Sequence, residues 1–131
     1  MPTRQNVRQQ PSRPLVVLVV EDEAFVRMIA AETIADAGYV AIEAANADEA
    51  LSLLEERQDI DIIFSDIKMP GSIDGLGLAA AAGHRWPNKP IILTSGHLRR
   101  GDAELPASAT FLQKPYPAAL LLTELSRLDH P

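Results

Sequence analysis

The stretch LVVLVVED, residues 15–22, decides the fold of this chain. Six consecutive apolar residues, four of them valine, run directly into the acidic pair Glu21 and Asp22. A continuous apolar run is typical of a central strand in a parallel sheet, because such a strand is covered on both faces. The stretch therefore predicts a buried parallel strand that ends in two carboxylates.

Four further short apolar runs follow along the chain. They are YVAIEA from Tyr39, DIIFS from Asp61, PIILT from Pro90 and TFLQ from Thr110. Helical patterns lie between the runs, and strands that alternate with helices are joined by right-handed crossovers in a doubly wound parallel sheet. We therefore predict a five-stranded α/β fold. Ligands of such folds bind beyond the carboxyl ends of the strands.

Three of the helical patterns are strong. In the first, one buried stripe is predicted to comprise Val26, Ile29, Ala30, Thr33 and Ile34. The second begins at Asn46, with Glu49 three residues later as in a capping box. The last starts with Pro117 at a first-turn position. Each of these segments is expected to pack on the sheet as an amphipathic helix.

The two remaining connections are weaker helix candidates. The segment 76–85 is expected to be helical although it contains glycine, which costs roughly 1 kcal/mol relative to alanine in a helix interior. Residues 97–109, HLRRGDAELPASA, are interrupted by Gly101 and Pro106. These two residues leave room for only a short or irregular fourth helix.

Composition narrows the class of protein. The chain has 131 residues, 47% of them hydrophobic, which suits one domain with a single core over residues 14–131. Residues 1–13 have little to bury and are expected to be a flexible tail. The net charge of −6 argues against a nucleic-acid partner. Because cysteine is absent, disulfides and thiolate metal sites are excluded.

The distribution of apolar residues bears on location. The longest strongly apolar stretch, residues 15–20, is far shorter than the roughly 20 residues that a membrane span requires. The first residues also lack the apolar core of a signal peptide. We therefore expect a cytoplasmic protein without a membrane partner.

Polar side chains close the apolar runs. They are Glu21 and Asp22 after the first run, Asp66 after the third, Ser95 after the fourth and Lys114 after the fifth. If the runs are neighbouring parallel strands, these groups meet at one edge of the sheet. Two like charges about 4 Å apart cost roughly 4 kcal/mol at a surface-like dielectric, so three carboxylates there require a cation. The pattern predicts a divalent metal beside a carboxylate that can attack a phosphoryl group.

Four motifs occur in a fixed order along the chain: the acidic pair, the segment DIKMP at residues 66–70, the hydroxyl residue Ser95 and the Lys114–Pro115 pair. Through these motifs the chain resembles response-regulator receiver domains over about residues 14–128. The resemblance implies a flavodoxin-like (βα)5 fold with strand order 2-1-3-4-5. It also implies a stand-alone, single-domain response regulator of a two-component phosphorelay. Such a protein takes a phosphoryl group from a sensor histidine kinase or a histidine phosphotransferase and signals to another protein.

The resemblance implies roles for the acidic residues. Asp66 is the expected phosphoacceptor, and an aspartate, ionised at neutral pH, attacks phosphorus without a general base. Asp22 is expected to bind the cofactor Mg²⁺ directly and Glu21 through water, with Asp66 and the backbone carbonyl of Lys68 as further ligands. The alternative for Glu21 and Asp22 is that they cap the helix that follows.

Four further residues are assigned in the same way. Ser95 is expected to bond the phosphoryl group, with Thr94 as the alternative if the frame slips by one. Lys114 is expected to pair with the acceptor and then with the phosphoryl oxygens. Phe111 takes the aromatic switch position unless it is only a core residue. Lys68 and His97 are expected to tune hydrolysis, although an exposed histidine is more often incidental.

The sequence departs from the family pattern at two places. The loop from Met69 to Gly75 is one residue longer than usual, and the interval from Ser95 to Lys114 is a few residues short. The second departure motivates an alternative function, a degenerate receiver that acts as a phosphorylation-independent interaction module. An aspartyl phosphatase is disfavoured because no second aspartate stands two residues after Asp66, and flavin binding rests on topology alone. No enzyme activity is expected beyond self-catalysed phosphotransfer and autodephosphorylation.

Overall fold

Five strands and four helices make up the part of the chain that the structure, a computed structural model, describes: residues 13–99, 101–102 and 104–129. In chain order they are β1 (Val16–Val20), α1 (Ala24–Asp36), β2 (Val40–Ala44), α2 (Ala47–Glu56), β3 (Ile62–Asp66), α3 (Gly75–Arg85), β4 (Ile91–Ser95), β5 (Ala109–Gln113) and α4 (Ala118–Asp129). The strands form one parallel sheet in the order β2-β1-β3-β4-β5. The predicted doubly wound fold and its strand order 2-1-3-4-5 are confirmed.

Strand β1 is buried along its whole length, as its unbroken apolar run requires. Val17 and Val19 contact one hydrophobic cluster, which also contains residues of α1 and α4. Leu18 and Val20 contact a second cluster on the other face of the sheet, with residues of α2 and α3. Since burying such a side chain contributes roughly 1.5–3 kcal/mol, this strand stabilises the packing on both faces of the sheet.

The predicted cap of α2 is present. The Asn46 side chain accepts a hydrogen bond from the backbone N–H of Glu49 at 2.8 Å, and the Glu49 carboxylate accepts one from the N–H of Ala45 at 2.6 Å. Asp74 caps α3 in the same manner, through the N–H of Gly77 at 3.0 Å. Pro117 immediately precedes α4.

The buried stripe predicted for α1 is largely wrong. Of its five residues only Ile34 is buried, whereas Val26 is 40% and Ile29 46% exposed. The helix has apolar side chains on nearly every side, so the 3.6-residue spacing alone does not select the face that packs. We refer to the exposed apolar residues Phe25, Val26, Met28 and Ile29 as the α1 apolar surface.

The connection between β4 and β5 contains no helix among its described residues, 96–99, 101–102 and 104–108. The short or irregular fourth helix expected there is thus corrected to a series of turns, and the helix labelled α4 follows β5. Gly101 has φ +94°, and the carbonyl of Pro106 accepts the N–H of Ala109 at 2.9 Å. A positive φ and a proline lacking an N–H are both incompatible with a continuous helix.

The predicted tail, residues 1–13, lies outside the described residues except for Arg13. This residue makes an ion pair with Asp61 at 2.8 Å, next to the start of β3, and the Asp61 carboxylate also accepts the N–H of Val16. None of the described helices combines the length and the apolar character needed to cross a membrane.

Candidate functional site

Three carboxylates meet at the edge where the strands end. Glu21 and Asp22 follow β1, and Asp66 is the last residue of the neighbouring strand β3. One oxygen from each side chain lies within 4.8 Å of the others. We call these three residues the carboxylate cluster. The three residues are far apart in the sequence but close in space, because adjacent parallel strands bring their carboxyl ends to one edge of the sheet.

Glu21 is the buried member of the carboxylate cluster. Its side chain is buried, which raises its pKa, and the nearby charge of Asp66 raises the pKa further. The backbone N–H of Glu23 donates to it at 3.1 Å, and Lys114 also favours the charged form, but these effects do not cancel the cost of burial. A cation placed beside the cluster would favour the charged form of Glu21.

Lys114 contacts two members of the carboxylate cluster. Its Nζ lies 3.2 Å from Oδ2 of Asp66 and 3.7 Å from Oε1 of Glu21. The residue directly follows β5, and its backbone N–H donates to the carbonyl of Ser95 at 2.9 Å. The peptide bond between Lys114 and Pro115 is cis. The backbone of Lys114 is thus joined to β4, and its ammonium group contacts Asp66 and Glu21.

Ser95, at the end of β4, holds the turn that follows it. Its Oγ accepts hydrogen bonds from the backbone N–H groups of His97 and Leu98, both at 3.0 Å. Thr94, the alternative hydroxyl position, pairs in register with Asp66. Its Oγ1 is buried and has no hydrogen-bond partner among the described residues. The position of Ser95 therefore determines where the start of the β4–β5 connection lies.

The switch residue and the two hydrolysis-tuning residues lie outside the carboxylate cluster as defined above. Lys68 and His97 are exposed, and no hydrogen bond or ion pair joins either side chain to the described part of the chain. Phe111 is buried in the hydrophobic cluster that also contains residues of α2 and α3. Its role as a switch, and the hydrolysis-tuning roles of Lys68 and His97, stay predictions.

The loop between β3 and α3 comes back close to Asp66. Gly75 donates its N–H to the carbonyl of Ile67 at 2.7 Å, and a Cβ at Gly75 would lie 2.2 Å from the backbone oxygen of Asp66. Only glycine fits there. The longer loop noted in the sequence also contacts α2, since the Ser72 hydroxyl donates to the Asp48 carboxylate.

Two neighbours of the site were not anticipated from the sequence. Tyr116 packs edge-on against Phe64, with ring centroids 6.3 Å apart, and burial raises its pKa to about 12, with a smaller contribution from the charges of Glu21 and Asp66. Arg27 donates to the backbone carbonyl of Glu21 and pairs with Glu43. Arg27 lies one helical turn after Glu23, a spacing that would have placed it beside the acidic pair.

The fold and the site together define a doubly wound α/β protein with a carboxylate cluster and one lysine at its carboxyl edge. The sequence model of the family described as "Response regulator receiver domain" matches residues 17–126. The chain therefore belongs to the response regulator receiver domain family, and the resemblance found in the sequence is confirmed.

Individual relatives agree with this assignment. A putative NtrX-like response regulator of Rickettsia conorii is 34% identical over 120 residues, which cover 86% of this chain and 24% of that protein. The sensor kinase CckA of Brucella abortus is 37% identical over 116 residues, 86% of this chain and 12% of the kinase. The chain thus spans about a quarter or less of the length of these relatives.

Solved structures show the same architecture. A response regulator receiver protein from Sinorhizobium medicae WSM419 has a TM-score of 0.80 at 29% identity, covering 88% of this chain and 94% of that one. The receiver domain of NtrX from Brucella abortus has a TM-score of 0.72 at 31% identity, covering 86% and 96%. Receiver domains are in general phosphoacceptors of two-component systems that pair with histidine kinases and bind Mg²⁺ in an acidic pocket.

Proposed function

We propose that Asp66 accepts a phosphoryl group from the phosphohistidine of a cytoplasmic sensor histidine kinase or histidine phosphotransferase, and that the resulting change in conformation is read by a protein partner. The observation that carries this proposal is the contact of Lys114 with both Asp66 and Glu21 inside the carboxylate cluster. That the receiver acts as a stand-alone regulator stays a prediction.

The residues present fit Mg²⁺. This ion prefers oxygen ligands, takes few protein carboxylates and keeps several waters. Three carboxylates facing one lysine leave an excess of negative charge that a divalent cation would neutralise. Asp22 and Asp66 would hold the ion, with Glu21 acting through water and the carbonyl of Lys68 as a further ligand. When bound, Mg²⁺ would polarise the phosphoryl oxygens and stabilise their developing charge.

In the proposed transfer, a carboxylate oxygen of Asp66 attacks phosphorus, and the bond from phosphorus to the imidazole nitrogen of the donor breaks. The electron pair of that bond stays on the imidazole, and an acyl phosphate remains on Asp66. The ammonium of Lys114, already 3.2 Å from Asp66, is placed to follow the negative charge onto the phosphoryl oxygens. This is electrostatic stabilisation of a transition state in which charge accumulates on those oxygens.

The signal would begin at Ser95. A hydroxyl that donates to a phosphoryl oxygen must turn toward Asp66 and release the N–H groups of His97 and Leu98. The β4–β5 connection, which has no helix to stiffen it in its described residues, would then move. Hydrolysis of the acyl phosphate by water passing Lys68 and His97 would return the protein to its first state.

The α1 apolar surface supports docking of a protein donor. Phe25 is 65% exposed and Met28 42% exposed, although both residues lie within one or two turns of Asp22. A contiguous group of exposed apolar side chains is typical of a protein interaction site. A helical donor that covers this surface would bring its histidine to the edge of the sheet where Asp66 lies.

The test uses phosphoramidate, a small donor that contains the same phosphorus–nitrogen bond as phosphohistidine. Incubation with Mg²⁺ is expected to add the mass of one phosphoryl group, and hydroxylamine is expected to remove it. Chelation of Mg²⁺ and the variant Asp66→Asn should each abolish the gain, while Asp61→Asn, at the opposite edge of the sheet, should keep it. No Asp66-dependent gain would rule the proposal out.

One observation favours the second candidate, a receiver that acts as an interaction module without phosphorylation. The β4–β5 connection differs from the family pattern, and its described residues form turns where a helix was expected. The phosphoramidate experiment separates the two functions, because the interaction module requires no modification of Asp66.

A further inference from the structure

A cavity of about 260 Å³ lies between β5 and the β4–β5 connection. Its apolar walls are Ile67, Leu98, Leu105, Ala109 and Phe111. It is separate from the carboxylate cluster, and none of the three carboxylates lines it. Arg99, Gly101 and Thr110 complete the lining, and the cavity is partly open to solvent. A closed cavity of roughly 150 Å³ holds benzene, so the volume here is enough for an aromatic ring with a short substituent.

The lining of the cavity also includes one cation. Arg99 is exposed, and its backbone N–H is bonded to the carboxylate of Asp102 at 2.8 Å. Its guanidinium group makes no hydrogen bond or ion pair with any residue that the structure describes. A guanidinium beside apolar walls favours an anion with an apolar body, and a carboxylate matches its fork of donors.

We propose that this cavity binds a small aromatic carboxylate, with the ring between Leu98, Leu105 and Phe111 and the carboxylate at Arg99, and that this binding opposes phosphorylation of Asp66. The binding itself is independent of the proposed function. The coupling rests on that function, because it requires a phosphoryl group on Asp66.

The coupling follows from the hydrogen bonds of Ser95. Its Oγ holds the N–H of Leu98 at 3.0 Å, and Leu98 forms a wall of the cavity. When Ser95 turns toward a phosphoryl group, Leu98 is released and the ligand loses this wall. A ligand packed against Leu98 therefore keeps Ser95 in its present position. By thermodynamic reciprocity, each event weakens the other by the same factor.

Binding is tested with phenylacetate and its neutral counterpart phenylacetamide, followed by amide chemical shifts in NMR spectra. We expect the shifts to concentrate at Leu98, Ala109 and Phe111. Phenylacetate should bind about fivefold more tightly than the amide, the factor that one exposed ion pair supplies. Shifts located elsewhere, or equal affinities for the two probes, would overturn the assignment.

Variants test the two parts of the site separately. Arg99→Gln should remove the preference for the carboxylate, whereas Arg57→Gln, a matched control whose residue pairs with Asp59, should keep it. Ala109→Leu fills part of the cavity and should weaken both probes at least tenfold. If this variant does not fold, Leu105→Phe replaces it with the same expected loss. Unchanged affinities in a folded cavity-filling variant would refute the site.

The coupling is tested with beryllofluoride, which mimics a phosphoryl group on an aspartate, in the presence of Mg²⁺. Its addition should weaken phenylacetate binding severalfold, and phenylacetate should weaken beryllofluoride binding by the same factor. Bound beryllofluoride with unchanged phenylacetate affinity would overturn the coupling. If beryllofluoride does not bind, the proposed function and the coupling fail together, while the phenylacetate titration still decides whether the cavity is a binding site.

Discussion

The negative charge of Glu21 lowers the free energy of unfolding by an amount that depends on pH. Burial and the charge of Asp66 raise its pKa, so the native state binds the Glu21 proton more tightly than the unfolded state does. The stabilising effect of this proton is fully present below the ordinary pKa of glutamate. It is lost as the pH rises through the raised value. At neutral pH without Mg²⁺, Glu21 therefore destabilises the fold.

The variant Glu21→Gln should melt at a higher temperature than the wild type at neutral pH in the absence of Mg²⁺. The difference should shrink as the pH falls below the raised pKa of Glu21, because the wild-type side chain then becomes neutral as well. Thermal unfolding at a series of pH values provides the measurement. The control is Glu56→Gln, a change at an exposed position at the end of α2, and its melting temperature should show no such trend. A difference between Glu21→Gln and the wild type that does not depend on pH would contradict the explanation.

Gly75 is required by the close approach of its backbone to Asp66. Because a Cβ there would lie 2.2 Å from a backbone oxygen, Gly75→Ala should lower the free energy of unfolding by about 1–3 kcal/mol, as overpacking does. Gly83→Ala is the matched control within the same helix. Its Cβ would be 3.5 Å from Pro106, an ordinary contact, so it should stabilise by up to about 1 kcal/mol. Urea denaturation measures both changes.

At the level of single residues, the sequence predicted which side chains meet but not all of their contacts. Glu21, Asp22, Asp66 and Lys114 were placed at one edge because each follows an apolar run, and strand ends of a parallel sheet converge. The ion pair of Lys114 with Glu21 and the packing of Tyr116 on Phe64 depend on side-chain rotamers. No spacing along the chain encodes these.

The helices differ in how far local sequence determines them. Helix α2 was predicted correctly because its start is set by a local cap, Asn46, and its apolar residues occupy one side. Helix α1 has apolar residues on several sides, so only the tertiary packing selects Ala31 and Ile34 for burial. The short or irregular helix expected between β4 and β5 is absent from the described residues, because Gly101 and Pro106 interrupt the segment more strongly than its length suggested.

The cap of α2 offers a test at the level of this element. Asn46→Ala removes the oxygen that accepts the N–H of Glu49 and should cost about 1 kcal/mol of stability. Ser52→Ala, at an exposed position inside the same helix, should be neutral or slightly stabilising. Chemical denaturation of the two variants gives the comparison, and equal effects would mean that the cap contributes nothing.

Considered as a whole, the molecule should be stabilised by Mg²⁺ if the ion binds at the carboxylate cluster as proposed. At a Mg²⁺ concentration ten times its dissociation constant, the gain is about 1.4 kcal/mol for one site. The melting temperature should then rise by several degrees. Asp22→Asn should remove the rise, and Asp36→Asn, at the far end of α1, should preserve it. A rise that survives in Asp22→Asn would place the ion elsewhere.

In the register between β1 and β3, Val20 pairs with Ser65, and the residues that follow this pair are Glu21 and Asp66. A slip of one residue between the two strands would turn every side chain of the displaced strand to the opposite face of the sheet. Asp66 would then be carried away from Glu21 and Lys114. The acidic edge therefore exists only when two buried strands pair in a single alignment.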